Sequence, residues 1–292
     1  PCGPILTPWH ATRRWLPRTG ATGAICSSSG CMGASIGSAS EGRAAGVEVL
    51  VRVLRGEPAA ATLREATRGR HDLLVKVAES GGHLWPWRLH VTDRRLLRRS
   101  PCPVWMLAPA QGPGVRVVMA AVDVGPGRAP DLNGRVVRTA ASLAGLDAEL
   151  HVMHAWSIVG EPILASAMTG LSRPRMRSVL AGTRRERRRR LQRLLARETP
   201  DRTVRVAMPK GDPVRAIRHE ARWREADVVV VGNSRRTGLE ALLLGNVAER
   251  LVGRVPGSVL AVAPGASDAR PTGIAVETHR GRVPAGVTGE AV

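Results

Sequence analysis

The chain has 292 residues, enough for two domains of ordinary size, and 43% of them are hydrophobic, so a sizeable core is within reach. The formal net charge of +20 points toward polyanions. However, 42 of the 44 basic residues are Arg, Phe and Tyr are absent and Asn occurs three times, a pattern that GC-rich coding explains without a nucleic-acid partner. Cys2, Cys26, Cys31 and Cys102 form no CxxC pair and no Cys/His cluster, which argues against zinc. No run of 18 apolar residues and no charged-then-apolar leader occurs, so neither a membrane-spanning helix nor a secretory signal is expected. A reducing, cytoplasmic location is expected, with the cysteines as free thiols.

Residues 1–43 show no period of 2 or 3.6 and are Gly/Ser/Ala-rich over 19–40. They read as an irregular N-terminal segment whose reading frame is open to question. From there strands and helices alternate. Strands are expected over 47–54, 72–77 and 103–107, with helices over 59–68 and 92–99 between them; together they make a partial first domain over 44–109. A short Pro/Gly linker follows. The second domain, 115–265, carries strands over 115–124, 148–156, 203–208, 228–231 and 258–263. Its helices are expected over 132–144, most of 161–199, 214–223 and 247–254. Residues 266–292 read as a disordered tail. Alternation of this kind calls for a parallel sheet, and the continuous Val run at 228–231 is what a strand covered on both faces looks like.

The two domains are copies at an offset of 155 residues. Gly56-Glu57-Pro58 matches Gly211-Asp212-Pro213, Asp72 matches Asp227, Leu96 matches Leu251, Pro101 matches Pro256 and Val104 matches Val259. The same offset requires the first copy to begin before residue 1, so its first two strands and their helices are missing. The first copy is expected to be incomplete and marginally stable.

Several motifs together resemble the universal stress protein family in its tandem, E-type form. These are Ala121-Val122-Asp123, His154-Ala155-Trp156, Lys210-Gly211-Asp212-Pro213, Arg236-Thr237-Gly238-Leu239, Gly245-Asn246-Val247-Ala248-Glu249 and Val259-Leu260-Ala261-Val262. In the first copy, Thr92-Asp93 and Pro101-Cys102-Pro103-Val104-Trp105 look like the same family. The resemblance covers roughly 46–265. It implies an α/β fold of two five-stranded parallel sheets of order 3-2-1-4-5, paired through their last strands, 103–107 against 258–263. A homodimer through that strand is the other arrangement it implies.

Nucleotide-binding members of the family carry Gly-x2-Gly-x9-Gly-Ser/Thr after the fourth strand. This chain has Gly232, Arg235, Gly245 and Asn246 at those places. A side chain at the inner glycine obstructs close approach of backbone to phosphate, whereas an Arg could reach the phosphates with its guanidinium. Asn246 can still cap the following helix. By resemblance Asp123 faces the ribose or adenine, and Val122, Val231 and Val247 line the base pocket. The bland reading is that Asp123 ends a strand and the two glycines permit turns. In the first copy Val77 stands at the place of Gly232 and no glycine spacing survives, so no nucleotide is expected there.

No Ser-His-Asp set, Cys-His set or paired carboxylate stands out, and no enzyme is expected. The run Arg184 to Arg190 lacks interleaved aromatics and reads as a solvated helix face. The expected function is stress survival through binding of a small ligand or protein partner. The alternatives are an ATP sensor in the second copy and a polyanion binder working through the Arg-rich helix. A membrane or nucleic-acid partner is not expected.

Overall fold

A computed structural model of the chain describes residues 25–28, 51–52, 54–78, 89–109, 114–127, 130–158, 173–233, 247–263 and 276–278. In the second half, β5 (Val117–Ala121), α3 (Pro130–Ala144), β6 (Glu149–Met153), α4 (Arg173–Glu198), β7 (Arg205–Ala207), α5 (Pro213–Trp223), β8 (Val228–Gly232), α6 (Val247–Leu251) and β9 (Ser258–Val262) follow in order. The strands pair as β9-β8-β5-β6-β7, all parallel, which is the expected 3-2-1-4-5 winding.

The Val run forms the centre of this sheet because both its faces are covered. Val228 and Val230 pack beneath α3 and α4, while Val229 and Val231 pack beneath α5 and α6. All four are at most 2% exposed, and each such side chain stabilises the fold by roughly 1.5–3 kcal/mol. Asp227 aligns three strand starts. Its Oδ2 accepts from the Arg116 and Val117 amides at 2.8 and 2.9 Å, and its carbonyl accepts from the Ser258 amide at 2.9 Å.

The first half supplies β1 (Ile25–Ser28), β2 (Val51–Arg52), α1 (Pro58–Arg68), β3 (Leu74–Val77), α2 (Val91–Arg99) and β4 (Val104–Leu107). The repeat holds down to backbone detail. α1 and α5 start 155 residues apart, each with Pro in its first turn and a carboxylate N-cap, Glu57 and Asp212. The preceding glycines, Gly56 and Gly211, have φ of 111° and 133°, and the left-handed residues that end the helices, Arg70 and Glu225, have φ of 49° and 51°. Carboxylate caps of the same kind at the same offset are what one ancestral βα unit leaves behind.

The strand complement of the first half differs from the expectation. The places beside β3 are filled in the order β1, β10 (Val276–Thr278), β2, all parallel. The segment 1–43, read as irregular, and 266–292, read as a disordered tail, thus each contribute a short strand, and within the strand expected over 47–54, Val51–Arg52 pairs at the outer edge. Parallel pairing is satisfied by backbone groups alone, so an extended segment needs no amphipathic period to take such a place.

β4 and β9 pair antiparallel, joining both halves into one ten-stranded sheet. Trp105 lies opposite Leu260, with Val104 opposite Ala261 and Met106 opposite Val259. The indole Nε1 of Trp105 donates to Ser258 Oγ at 2.8 Å. Arg98 of α2 grips Glu249 of α6 through two hydrogen bonds of 2.6 and 3.0 Å, and the Asn233 amide donates to the Leu97 carbonyl. Pairing through the last strands therefore occurs within one chain.

Candidate functional site

The winding places a crevice at the carboxyl ends of β5 and β8. From β5 the chain winds through α3 to β6 on one side and returns through α5 to β8 on the other, and such a reversal is where open α/β sheets hold ligands. Asp123 lies two residues past the end of β5 and is exposed. Its backbone is clamped by Asn133 of α3, whose Oδ1 accepts from the Asp123 amide at 3.0 Å and whose Nδ2 donates to the Asp123 carbonyl at 2.7 Å. The Asp123 carboxylate accepts from the Gly125 amide at 3.0 Å, closing an Asx turn. Gly127, at φ 66°, occupies a backbone state that favours glycine.

This loop forms one wall of a pocket of about 480 Å³. Its lining is Asp123, Val124, Gly125, Gly127 and Asn133 on one side and Arg190, Arg193, Leu194 and Arg197 of α4 on the other. Spacings of three and four residues put those α4 side chains on one helical face. Arg190 Nε is 2.8 Å from Glu186 Oε1 and Arg193 is 3.9 Å from the same carboxylate, so Glu186 ionises below the usual carboxylate range, chiefly through the Arg190 hydrogen bond. Arg197 Nε lies 2.7 Å from Glu198, while the side chains of Arg193 and Arg197 stay 74% and 59% exposed. Arg187 reaches the Val124 carbonyl at 3.4 Å, tying the loop to α4.

A second layer supports the loop from behind. His154 is buried just past β6, and its Nδ1 donates to the Val122 carbonyl at 3.1 Å. Its Nε2 is buried and has no partner. Burial holds its pKa below the ordinary value, so the ring is neutral with the proton on Nδ1. Trp156 bridges in parallel to Lys210, and the Gly211 amide donates to the Trp156 carbonyl at 2.9 Å. The two motifs read separately, around His154 and around Lys210, are therefore neighbours.

The residues singled out from the sequence are only partly brought together. Asp123 opens into the pocket. Val122 packs on the α3/α4 face, whereas Val231 and Val247 pack on the α5/α6 face, so the three do not line one base pocket. The cause is strand alternation: Val122 and Val231 come from neighbouring strands but point to opposite sides of the sheet. Gly232 sits against Leu132, whose Cδ2 is 3.0 Å from where a β-carbon would stand. Arg235, Gly245 and Asn246 lie outside the described residues. Asn133 was not anticipated as part of a site, and the Arg-rich helix was weighed as a polyanion surface but not as a wall beside Asp123. The signal for that wall was the 190/193/194/197 helical spacing inside an Arg-rich segment, hidden because arginines also fill the other faces of that helix.

Among the described residues no group of His, Cys, Asp and Glu could hold a metal ion, and no described helix is long and apolar enough to cross a membrane. Cys102 is a buried free thiol whose pKa burial pushes up, which suits a packing role rather than a nucleophile.

Comparison with known proteins gives these features a family. The chain is 26% identical to universal stress protein E of Photorhabdus laumondii over 232 residues, covering 75% of this chain and 70% of that one. It is 28% identical to universal stress protein E of Escherichia coli K12 over 231 residues, with the same coverage. Among solved structures, a putative universal stress protein from Pseudomonas aeruginosa UCBPP-PA14 superposes with a TM-score of 0.58 at 25% identity, covering 82% of this chain and 81% of that one. A functionally unknown protein from Pseudomonas aeruginosa PAO1 shares the fold at a TM-score of 0.61 and 24% identity, with the same coverage. The model of the universal stress protein family matches residues 114–263, the complete second half from before β5 to the end of β9, and the chain belongs to that family.

Proposed function

We propose that this chain supports survival under stress as a binding protein without catalysis, and that its second half takes a small phosphate-bearing ligand of the nucleotide class. The observation that carries this reading is the pocket at the end of β5, where one exposed carboxylate faces a wall of three arginines. A carboxylate fixed at a strand end suits ribose hydroxyls, as in other nucleotide sites on parallel sheets. Guanidinium groups suit phosphate oxygens, singly or in bidentate pairs. In this reading Arg193 and Arg197 take over much of the work that a glycine-lined phosphate loop does by backbone amides. The site offers no general base and nucleophile in mutual reach among the described residues, which is why binding rather than turnover is proposed.

Calorimetric titration of the full chain with ATP tests the proposal. Saturable binding below millimolar is expected, weakened about tenfold by D123A, the loss of a hydrogen bond to a charged group. The paired variant R193Q/R197Q should weaken ATP more than adenosine. Absence of saturable binding at millimolar ATP sinks the nucleotide reading.

A further inference from the structure

A second surface, on the other side of the sheet, has no part in the pocket just described. α5 buries Val214, Ile217 and Ala221 against the core. On its outward side Arg215, Arg218, His219, Arg222 and Trp223 line a groove of about 430 Å³. Their spacing of 3, 4, 7 and 8 residues from Arg215 is that of one helical stripe. Trp223 is 73% exposed at its end. An indole held so far into water gains nothing for folding, and large exposed aromatics beside charge mark contact surfaces.

The charge of this stripe is uncompensated. Among the described residues, Arg215, Arg218 and Arg222 take part in no ion pair, and the Nε of Arg218 is buried without a hydrogen-bond acceptor. Of the acids on the same helix and at its ends, Glu220 binds Arg224 at 3.0 Å, and Asp212 caps the helix through the Arg215 amide and lies 4.0 Å from Arg250; Glu225, two residues past Trp223, is the one acid there that pairs with no base among the described residues, against three arginines. α4 is also rich in arginine, with Arg190 and Arg193 sharing Glu186, but it carries no aromatic residue. Free guanidinium donors in a row with a flat aromatic at the end match a chain of phosphates from which a base can stack.

We infer that the outer face of α5 binds single-stranded nucleic acid, with phosphates along Arg215, Arg218 and Arg222 and an unpaired base stacked on Trp223. A duplex satisfies only the charge, because its bases are already stacked on one another. Affinity for a single strand should therefore exceed that for a duplex of equal length, and should fall steeply with salt. The surface is independent of the ATP reading, since none of its residues lines the pocket by Asp123.

Fluorescence anisotropy of the full chain with a fluorescein-labelled twelve-nucleotide oligoadenylate tests this, with the same strand annealed to its complement as comparison. W223A should weaken single-strand binding about tenfold while leaving duplex binding unchanged, the loss expected for one stacked base. R215Q/R222Q should weaken both and lower the salt dependence by about two charges. Both variants alter exposed positions, and unchanged circular dichroism confirms that they fold. Equal affinity for strand and duplex, or full retention in W223A, overturns the inference. Loss of binding in R184Q/R188Q but not in the α5 variants overturns it too, by moving the contact to α4.

Discussion

Removing Asp93 should cost the first half much of its stability. Lys76 of β3 and Asp93 of α2 form an ion pair at 2.9 Å with side chains 1% and 0% exposed. At the repeat-related positions of the second half stand Val231 and Ala248, both buried and apolar. The first half thus holds two charges where its sister holds none. Lys76 Nζ also donates to the Val77 carbonyl at 3.2 Å. In D93A the buried ammonium loses its ion pair with Asp93, at a cost of about 3–5 kcal/mol. A whole domain has a stability of only about 5–15 kcal/mol, so the loss is large. The double variant K76M/D93V restores an apolar filling of similar volume and should recover most of it, because a buried pair contributes little beyond its own desolvation. Urea denaturation followed by circular dichroism compares both variants with the unaltered chain. A D93A cost below about 1 kcal/mol, or a double variant no more stable than D93A, would refute this account of the pair.

Three further outcomes follow from the geometry. Gly257→Ala should prevent stable folding of the second half, because the new β-carbon would lie 2.1 Å from the Asp227 carbonyl oxygen, which is backbone and cannot rotate away; a collapse of Tm checks it. Ser258→Ala should cost about 1–3 kcal/mol by leaving the Trp105 N–H unpaired, and a cycle with W105F should assign most of that to the one bond. Stability should decline as pH falls below about 6.5, the ordinary histidine pKa. His154 is held neutral by burial, so the unfolded chain binds the proton more readily and acid favours unfolding. H154Q should flatten that slope in denaturation midpoints taken from pH 7.5 to 5.5.

What was readable in the sequence is what neighbouring residues dictate. The Val run of β8 announces a strand buried on both faces, and Gly-Glu-Pro and Gly-Asp-Pro stand out as a repeated pair, at which the structure starts two helices capped by Glu57 and Asp212. The seam between β4 and β9 came from the family resemblance, since the strands themselves are merely apolar. The binding site was less legible. Asp123 stands out because it ends a strand, but its arginine wall comes from a helix some 70 residues later. The chain crosses a whole βα unit before closing it, and no local period records that closure. Strand alternation also split Val122 from Val231, which the motif alone treated as partners. β1 and β10 were missed because backbone pairing leaves no mark on side-chain pattern.

The β4–β9 seam also bears on how the molecule responds to dilution. Both strands belong to one polypeptide, so their encounter is unimolecular, at an effective concentration set by the short link between the halves rather than by the amount of protein. A pair of separate single-copy chains joined through the same strand would come apart as concentration falls. Here the two sheet edges most prone to recruit a stranger are spent on each other at every concentration. The outermost strands that remain in the continuous sheet are the two-residue β2 and the three-residue β7. Short edges offer a poor template for further strand addition.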